Sequence, residues 1–453
     1  MRRGLPPAAP APARRDVGVS VTARTLGGAL IAIVGAGGAS DDAAACAAAA
    51  IDGRRPQWVV RPRTLDELAR VVAIAHDEGL AVVPRGAGHA LALGSPPARV
   101  DVVLDLCGLD AIVEYNPDDL TVTVQAGVTA GALAAVLHDR RQTLPLDPPG
   151  WGSRTLGGIA ATAAGGPLRL RYGTMRDLLL GVRFVQADGV VTWGGARVVK
   201  SVTGYDVPKL LVGALGTLGI LGELTLRLHP LPEAEATCLL PLRSTEIAQD
   251  VVARLVDSPL QPSRCELLDA AALAACGLPA AAVGLVVSLG SVEGAVRAQQ
   301  AMVVAEATRV RARAETMGPG FWRTYDRVLA ENGPTVLRLA TLATRLAATL
   351  DEVRASLGGD AGVTITGCAP LGLLRVALRQ DEPAVLAKAI ERLRAFVDES
   401  DGSVVVERGS TALRTSLDPW GPVPAGPLAL MRALKQEFDP RGTLNPGRFV
   451  GGL

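Results

Sequence analysis

Aromatic side chains are scarce: five Trp, four Tyr and five Phe supply 3% of the 453 residues. A flat ligand in such a chain rests mainly on backbone and aliphatic groups, and the core is filled by aliphatic side chains and alanine. Histidine is rarer still, with His76, His89, His138 and His229 the full complement. Six cysteines, at 46, 107, 238, 265, 276 and 368, form no CxxC pair. That argues against a structural zinc or an iron–sulfur cluster bound by this chain alone, and for small buried hydrophobes in a reducing compartment. No sign of charge prevails, since 46 basic residues face 45 acidic ones, so the electrostatic footprint of a nucleic-acid-binding protein is missing. The stretch LGGALIAIVGAGGA at 26–39 is too short and too glycine-rich to span a bilayer, and it begins too late for a secretion signal. A small molecule or another protein is the expected partner, and the cytoplasm the expected location.

What is present is glycine, 51 of them, in a chain that is 49% hydrophobic and 20% charged. Such a composition describes two or three globular domains. The first 20 residues, opening MRRGLPPAAPAPARR, are expected to be disordered. Thr64 and Glu67 form a capping box, Leu65, Leu68, Val71, Val72 and Ala75 make one face, and Gly79 closes the helix. Strands are expected at 80–84, 100–106 and 120–127, then a helix from Thr129 to about Arg141. Strands 181–187 and 190–193 read as a hairpin around Asp188-Gly189, followed by a helix near 206–213 and a strand at 219–228. After Pro230 and Pro232 strands at 285–289, 336–340, 363–366, 373–378 and 403–407 alternate with helices at 294–307, 344–356 and 383–398. These read as split β-α-β units in a ferredoxin-like antiparallel sheet with helices on one face. No repeat of 20 to 50 residues is evident.

Four glycine clusters divide the first half. Val34 to Ser40 lacks the third glycine of a dinucleotide fingerprint and reads as a tight turn. PRGAGHALALG at 84–94 follows a buried strand, and its backbone N–H groups can converge on a pyrophosphate, although a plain strand-to-strand loop reads equally well. DPPGWGSRTLGGIAATAAGGP at 147–167 buries little of its own surface, so a bound cofactor is the natural filler. KSVTGYDVPKLLVGALGTLGILGELTL at 200–226 adds glycine turns before a strand.

Taken together, AIDGRRP (50–56), the helix at 64–79, PRGAG, VEYNPDDLTVTVQAG, TLGGIAATAAGG, RYGTMRDLLLGVRFVQADG, TGYDVPKLLVGALGTLGILGELTLRLHPLP and LNPGRF resemble the vanillyl-alcohol-oxidase and p-cresol-methylhydroxylase class of FAD-linked oxidases. Within that class the chain is similar to FAD-binding subunits of bacterial glycolate oxidases. The resemblance implies an α+β fold: a PCMH-type FAD-binding domain of two α/β subdomains at 50–232, a ferredoxin-like cap at 233–417, and a linker, helix and tail at 418–453 that return to the FAD domain. It implies that Arg85, Gly86, Ala87, Gly88, His89 and Gly94 hold the pyrophosphate. Pro149, Gly150, Thr155, Leu156, Gly157, Gly158, Ala161 and Thr162 would line the isoalloxazine and ribityl chain, continued by Gly165, Tyr172, Gly173 and Val182. Gly216, Thr217, Gly219 and Ile220 would meet the adenine end, and Asn445, Pro446, Gly447 and Arg448 would bring the tail back to the flavin.

The implied activity is oxidation of a small 2-hydroxy acid, such as glycolate to glyoxylate, beside a catalytic flavoprotein subunit and an iron–sulfur subunit, peripheral to the inner membrane through that complex. Arg375 and Arg448 are the carboxylate candidates, each weighed against an ordinary surface or salt-bridged arginine. Glu407 and Arg408 can pair with each other, and Asp206 can cap the helix after it. The class's H-x-G-x-G-x-x-H segment, often metal-bound, is missing, and no metal ligand set is expected. That favours an alternative: a subunit that holds FAD for electron relay or assembly without substrate chemistry. His89 stands where related oxidases link FAD through an 8α-histidyl bond. A covalent link, a phosphate or ribityl contact, and no cofactor role are all open to it.

Overall fold

The computed structural model describes residues 23–196, 205–331, 333–359, 362–380 and 382–453. The expected N-terminal tail and the opening residues of the 200–226 glycine cluster lie outside the described residues.

The first described element is α1 (Ala23–Val34), a helix the glycine-rich sequence obscured. Gly27 allows it to lie against the ring of Trp58, where a Cβ would sit 2.7 Å from ring carbons, and Leu26 and Leu30 enter the core. The glycine turn after it leads to β1 (Ala39–Ser40), so the reading of that cluster as a turn is right. After α2 (Ala43–Ala48), β2 (Trp58–Val60), β3 (Val82–Arg85) and β4 (Val102–Asp105) form a sheet of order β1-β2-β4-β3, parallel except for β1. Between β2 and β3 runs α3 (Leu65–Asp77); Thr64 caps it through Glu67 N–H, and the Glu67 carboxylate accepts from Arg63 N–H, one residue before the expected partner.

The second layer is antiparallel. It uses β5 (Ile112–Asn116), β6 (Thr121–Gln125), β8 (Leu179–Val185), β9 (Val191–Gly195) and β10 (Ile220–Arg227) in the order β5-β6-β10-β8-β9, while β7 (Gln142–Thr143) pairs with β11 (His229–Pro230). The hairpin expected at Asp188-Gly189 is present, with Gly189 at φ 85° and the Asp188 carboxylate accepting from Val190 N–H. Between these strands lie α4 (Ala130–His138), α5 (Leu156–Thr162), α6 (Arg169–Tyr172), α7 (Met175–Leu178) and α8 (Val207–Leu211, capped by Asp206).

The second half is a single eight-stranded antiparallel sheet. Its first unit runs β12 (Ala234–Leu242), α9 (Thr245–Val256), β13 (Arg264–Asp269), α10 (Ala270–Ala275), β14 (Val283–Ser291), α11 (Glu293–Arg309), β15 (Glu315–Thr316). After α12 (Phe321–Glu331) the pattern recurs as β16 (Thr335–Ala340), α13 (Leu346–Ser356), β17 (Val363–Cys368), β18 (Leu373–Leu378), α14 (Pro383–Asp398), β19 (Ser403–Arg408). Strand orders β15-β12-β14-β13 and β17-β18-β16-β19 are the same ferredoxin-like arrangement used twice, joined where β13 pairs with β17. The duplication exceeds the repeat length sought in the sequence. Helices α9, α11, α13 and α14 cover one face. The expectation of helices on one face only is corrected by α10 and α12, whose Leu273, Phe321, Tyr325 and Leu329 pack on the other face against Leu239, Leu268 and Val286. Finally α15 (Thr411–Ser416) and α16 (Ala425–Phe438) carry the chain back to the first half.

Candidate active site

Strand period decides what faces the junction of the two halves. On β16, Leu337 and Leu339 enter the helix-covered core, as do Leu374, Val376 and Leu378 on β18 and Val404 and Val406 on β19. Alternate residues point the other way, and those include Arg338, Arg375, Thr366, Glu266 and Glu407, all lining one cavity.

That cavity adjoins a second, a cradle of about 850 Å³, partly open to solvent. Arg85, Gly86, Ala87, Gly88 and His89 form one wall of the cradle and Thr155, Gly157, Gly158, Ala161 and Thr162 another. Gly216, Ile220, Asn445 and Arg448 close it. The walls meet closely: a Cβ on Gly86 would collide with Thr155 Oγ1, and one on Gly157 would lie 2.7 Å from Ala126 Cβ. Helix α5 is stitched to the β6 exit by Leu156 N–H to Val128 O and Gly157 N–H to Ala126 O, both 2.8 Å.

The C-terminal tail fixes the cradle from below. Val82 N–H donates to Thr443 O and Asn445 N–H to Val82 O, each at 2.8 Å. Asn445 Nδ2 donates to Leu215 O at 2.7 Å, and Lys435 Nζ donates to Thr217 O and Leu444 O. Arg448 Nη2 donates to Leu91 O and Leu93 O, both 2.9 Å, and its Nη1 lies 3.6 Å from Asp52. Asp52 also receives Arg414, so one carboxylate joins the entry segment, the second half and the tail. Burial holds the Arg448 guanidinium down at about 10, opposed by Asp52 and reinforced by Arg414.

Several residues named from the sequence stand elsewhere. Leu156 and Val182 are wholly buried in the core, Thr217 is buried with its hydroxyl on Ala214 O, and Gly219 packs on Phe184. Gly94 lies under the Arg448 carbonyl and Trp420. Gly447 packs beside Ala98, and Pro446 O accepts from Ala98 N–H. Gly173 ends α6, and Tyr172 meets His229 edge-on at 5.0 Å instead of continuing a flavin wall. Pro149 and Gly165 line the junction cavity, and Gly150 N–H donates to Asp326 beside the His89 ring. Arg448 does not reach the junction cavity; its ties make it a clamp, not a carboxylate ligand. Glu407 pairs with Arg375 at 3.8 Å and not with Arg408, whose Nη1 donates to Gly333 O.

The junction cavity also gathers Arg154, Arg169, Arg338 and Arg408, beside Glu266 and Tyr325, none of which the sequence had singled out for substrate. The readable signal was a charge at the polar phase of an otherwise apolar strand, as in VLRLA and LLRVAL. Burial lowers Arg375, against the pull of Glu407, and neither its Nε nor its Nη1 makes a hydrogen bond. Burial pushes Glu266 up to about 8, although Tyr325 donates to it at 2.6 Å. His89 lines both cavities, with Nε2 2.9 Å from Ser153 Oγ. Burial and then the Arg154 charge hold its imidazole below the ordinary histidine value, hence neutral at pH 7.

Residues 56–195 match the FAD binding domain family, and residues 231–316 with 418–449 match the C-terminal domain of FAD linked oxidases. The chain belongs to the FAD-linked oxidases. It is similar to glycolate oxidase subunit GlcD of Bacillus subtilis (strain 168), 29% identical over 87% of this chain and 88% of that one. It is also similar to a D-2-hydroxyglutarate dehydrogenase of Xanthomonas citri pv. viticola, 28% identical over 87% of this chain and 89% of that one. Its fold matches p-cresol methylhydroxylase, with a TM-score of 0.76 at 15% identity over 94% and 96% of the two chains. This FAD-linked oxidoreductase thus has the fold the motifs implied, and FAD is its cofactor. The cradle fits that cofactor on its own terms. It is walled by backbone and glycine, and Asn445 Oδ1 and Arg448 Nε and Nη1 border it buried and without hydrogen bonds. Among the described residues no helix is long and apolar enough to cross a membrane.

Proposed function

We propose that this FAD-linked oxidase oxidises a small 2-hydroxy acid at its alcohol carbon, and that residues 233–417 act as the cap over the substrate. The observation that carries the reading is Arg375: a guanidinium with a 12% exposed side chain, two N–H groups free of hydrogen bonds, in a cavity that adjoins the cofactor cradle. A substrate carboxylate satisfies those donors in a charge-assisted pair. Relatives named for glycolate, D-lactate and D-2-hydroxyglutarate support the acid class.

Arg85 to His89, Thr155, Gly157, Gly158, Ala161, Thr162, Gly216 and Asn445 would hold FAD, which supplies a two-electron acceptor for the hydride leaving the alcohol carbon. Arg375 orients the acid through its carboxylate. Neutral His89, bordering both cavities, accepts the hydroxyl proton as the carbonyl forms. Arg154 and Arg408 stabilise the negative charge that develops on the hydroxyl oxygen as its proton leaves. Electrons then leave through a partner subunit, because this chain has no clustered cysteines for an iron–sulfur cluster; a catalytic flavoprotein subunit and an iron–sulfur subunit are the proposed partners. The missing H-x-G-x-G-x-x-H segment favours a second reading, an FAD-holding relay or assembly subunit.

Anaerobic addition of 2-hydroxy acids to the purified flavoprotein decides between the two. Loss of the flavin band near about 450 nm without any partner supports the oxidase. A band that persists with every 2-hydroxy acid, yet bleaches when a reduced partner is supplied, supports the relay.

A further inference from the structure

Arg338 and Arg375 are direct cross-strand partners on β16 and β18, and both open into the junction cavity. Paired positions on antiparallel strands hold their Cβ atoms about 4.5–5.5 Å apart, where two like charges oppose folding. Among the described residues, no group lining the cavity neutralises the pair fully. Of the two carboxyl groups lining the cavity, Glu407 stands 3.8 Å from Arg375. The other, Glu266, is fully buried, accepts from Tyr325 and is mostly protonated at neutral pH. Asp147, whose charge also acts on Arg169, is occupied by Arg264 at 3.0 Å.

The cations also fall into two groups. Arg154 feels Glu407, Arg375 and Arg408 most strongly, placing these four at the end next to His89. Arg169 feels Arg338 before any other charge, and its Nε makes no hydrogen bond. One cavity therefore holds a cationic pole beside the cofactor cradle and a second pole away from it. A substrate with a single carboxylate engages the first and leaves the second half-buried and, among the described residues, without a counter-charge, which costs stability in the bound state.

We propose that the substrate carries two carboxylates: the cavity takes a 2-hydroxy dicarboxylate, its α-carboxylate on Arg375 and its distal carboxylate between Arg338 and Arg169. This rests on the oxidase reading for the reaction, but not for the binding. Hydride leaves the alcohol carbon for FAD and the hydroxyl proton leaves to the base, so a 2-oxo dicarboxylate is the product; the distal carboxylate takes no part in bond changes and serves only recognition.

The test uses the FAD-loaded full chain in two arms. In the first, malate and 2-hydroxyglutarate, both enantiomers of each, are compared with glycolate and lactate in anaerobic flavin reduction. The best dicarboxylate is expected to exceed the best monocarboxylate in kcat/KM by about ten- to a hundred-fold, the usual worth of a site whose charged partner is otherwise left unpaired. In the second, the unreactive glutarate and butyrate are titrated by flavin difference spectrum. Glutarate should bind at least about tenfold tighter, Arg338→Met should erase that preference, and Arg338→Lys should restore part of it. Glycolate or lactate matching the dicarboxylates, or butyrate matching glutarate in the unaltered protein, overturns the proposal. If glutarate binds in an Arg338-dependent way while no hydroxy acid reduces the flavin, the oxidase reading fails and the dicarboxylate site stands.

Discussion

Replacing Asp52 by asparagine tests how the cofactor cradle is held. Asp52 lies at φ 51°, a conformation asparagine tolerates, so the turn survives and only the charge is lost. Its side chain is 7% exposed, that of Arg414 2% and that of Arg448 4%. The carboxylate accepts from both Arg414 terminal nitrogens and from Thr411 Oγ1 at 3.1 Å. Arg414 in turn donates to Gly94 O at 3.0 Å and to Gly409 O at 3.1 Å, and Arg448 donates to Leu91 O and Leu93 O. The asparagine variant leaves two buried guanidiniums without a counter-charge, a loss of about 3–5 kcal/mol when one member of a buried ion pair is removed. That is a factor of about 10² to 10³ or more in the folded ratio. Because both arginines grip the carbonyls of the 85–94 loop, FAD affinity should fall with stability. Urea unfolding of the apoprotein and FAD titration by fluorescence quenching measure the two effects. A variant within about 1 kcal/mol of the parent, with unchanged FAD affinity, refutes the clamp.

The remaining predictions concern single groups. Glu266, raised to about 8 against about 4.3 in an unfolded chain, keeps in the folded state a proton that the unfolded state gives up. Its contribution is therefore complete below the unfolded value and is lost as pH rises towards 8; Glu266→Gln should flatten the fall in melting temperature over that window, and parallel curves contradict this. Gly157→Ala drives a Cβ to 2.8 Å from the Ala126 carbonyl as well as onto its Cβ; backbone on that side cannot yield, so FAD content after purification should drop sharply, and a fully loaded variant is the contrary result. For His89, acid precipitation of the yellow protein separates the roles: flavin left in the pellet, and released in His89→Ala, establishes an 8α-histidyl bond, while complete release excludes it. With release, kcat/KM should decline as pH falls through the lowered histidine value, because the protonated ring accepts no proton.

The glycine loops, the capped helix at Thr64 and the apolar strands of the second half were readable because each is written in contiguous residues with a local period. Helix α1, whose Gly27 is there for Trp58, was not among the expected elements, nor were β12, α9, β13 and α12. Leu156 and Val182, expected as cofactor walls, are turned into the core by helix and strand phase. For Arg448 the motif gives a charge near the flavin but not Asp52, which lies hundreds of residues away in sequence and 3.6 Å away in space.

Sequence alone determined the class of the molecule: glycine-walled loops in a fixed order, few aromatics to stack on a ring, and strand periods that separate an apolar face from a polar one. Those properties are local and survive without knowing what each segment touches. Tertiary structure alone decided which polar face meets which cavity. The β16–β18 register sets Arg338 opposite Arg375, the β13–β17 seam joins two ferredoxin-like units, and the returning tail pins the loop beneath it. Register and docking are pairings between distant segments, and a chain's local pattern specifies the phase of each strand without naming its neighbour.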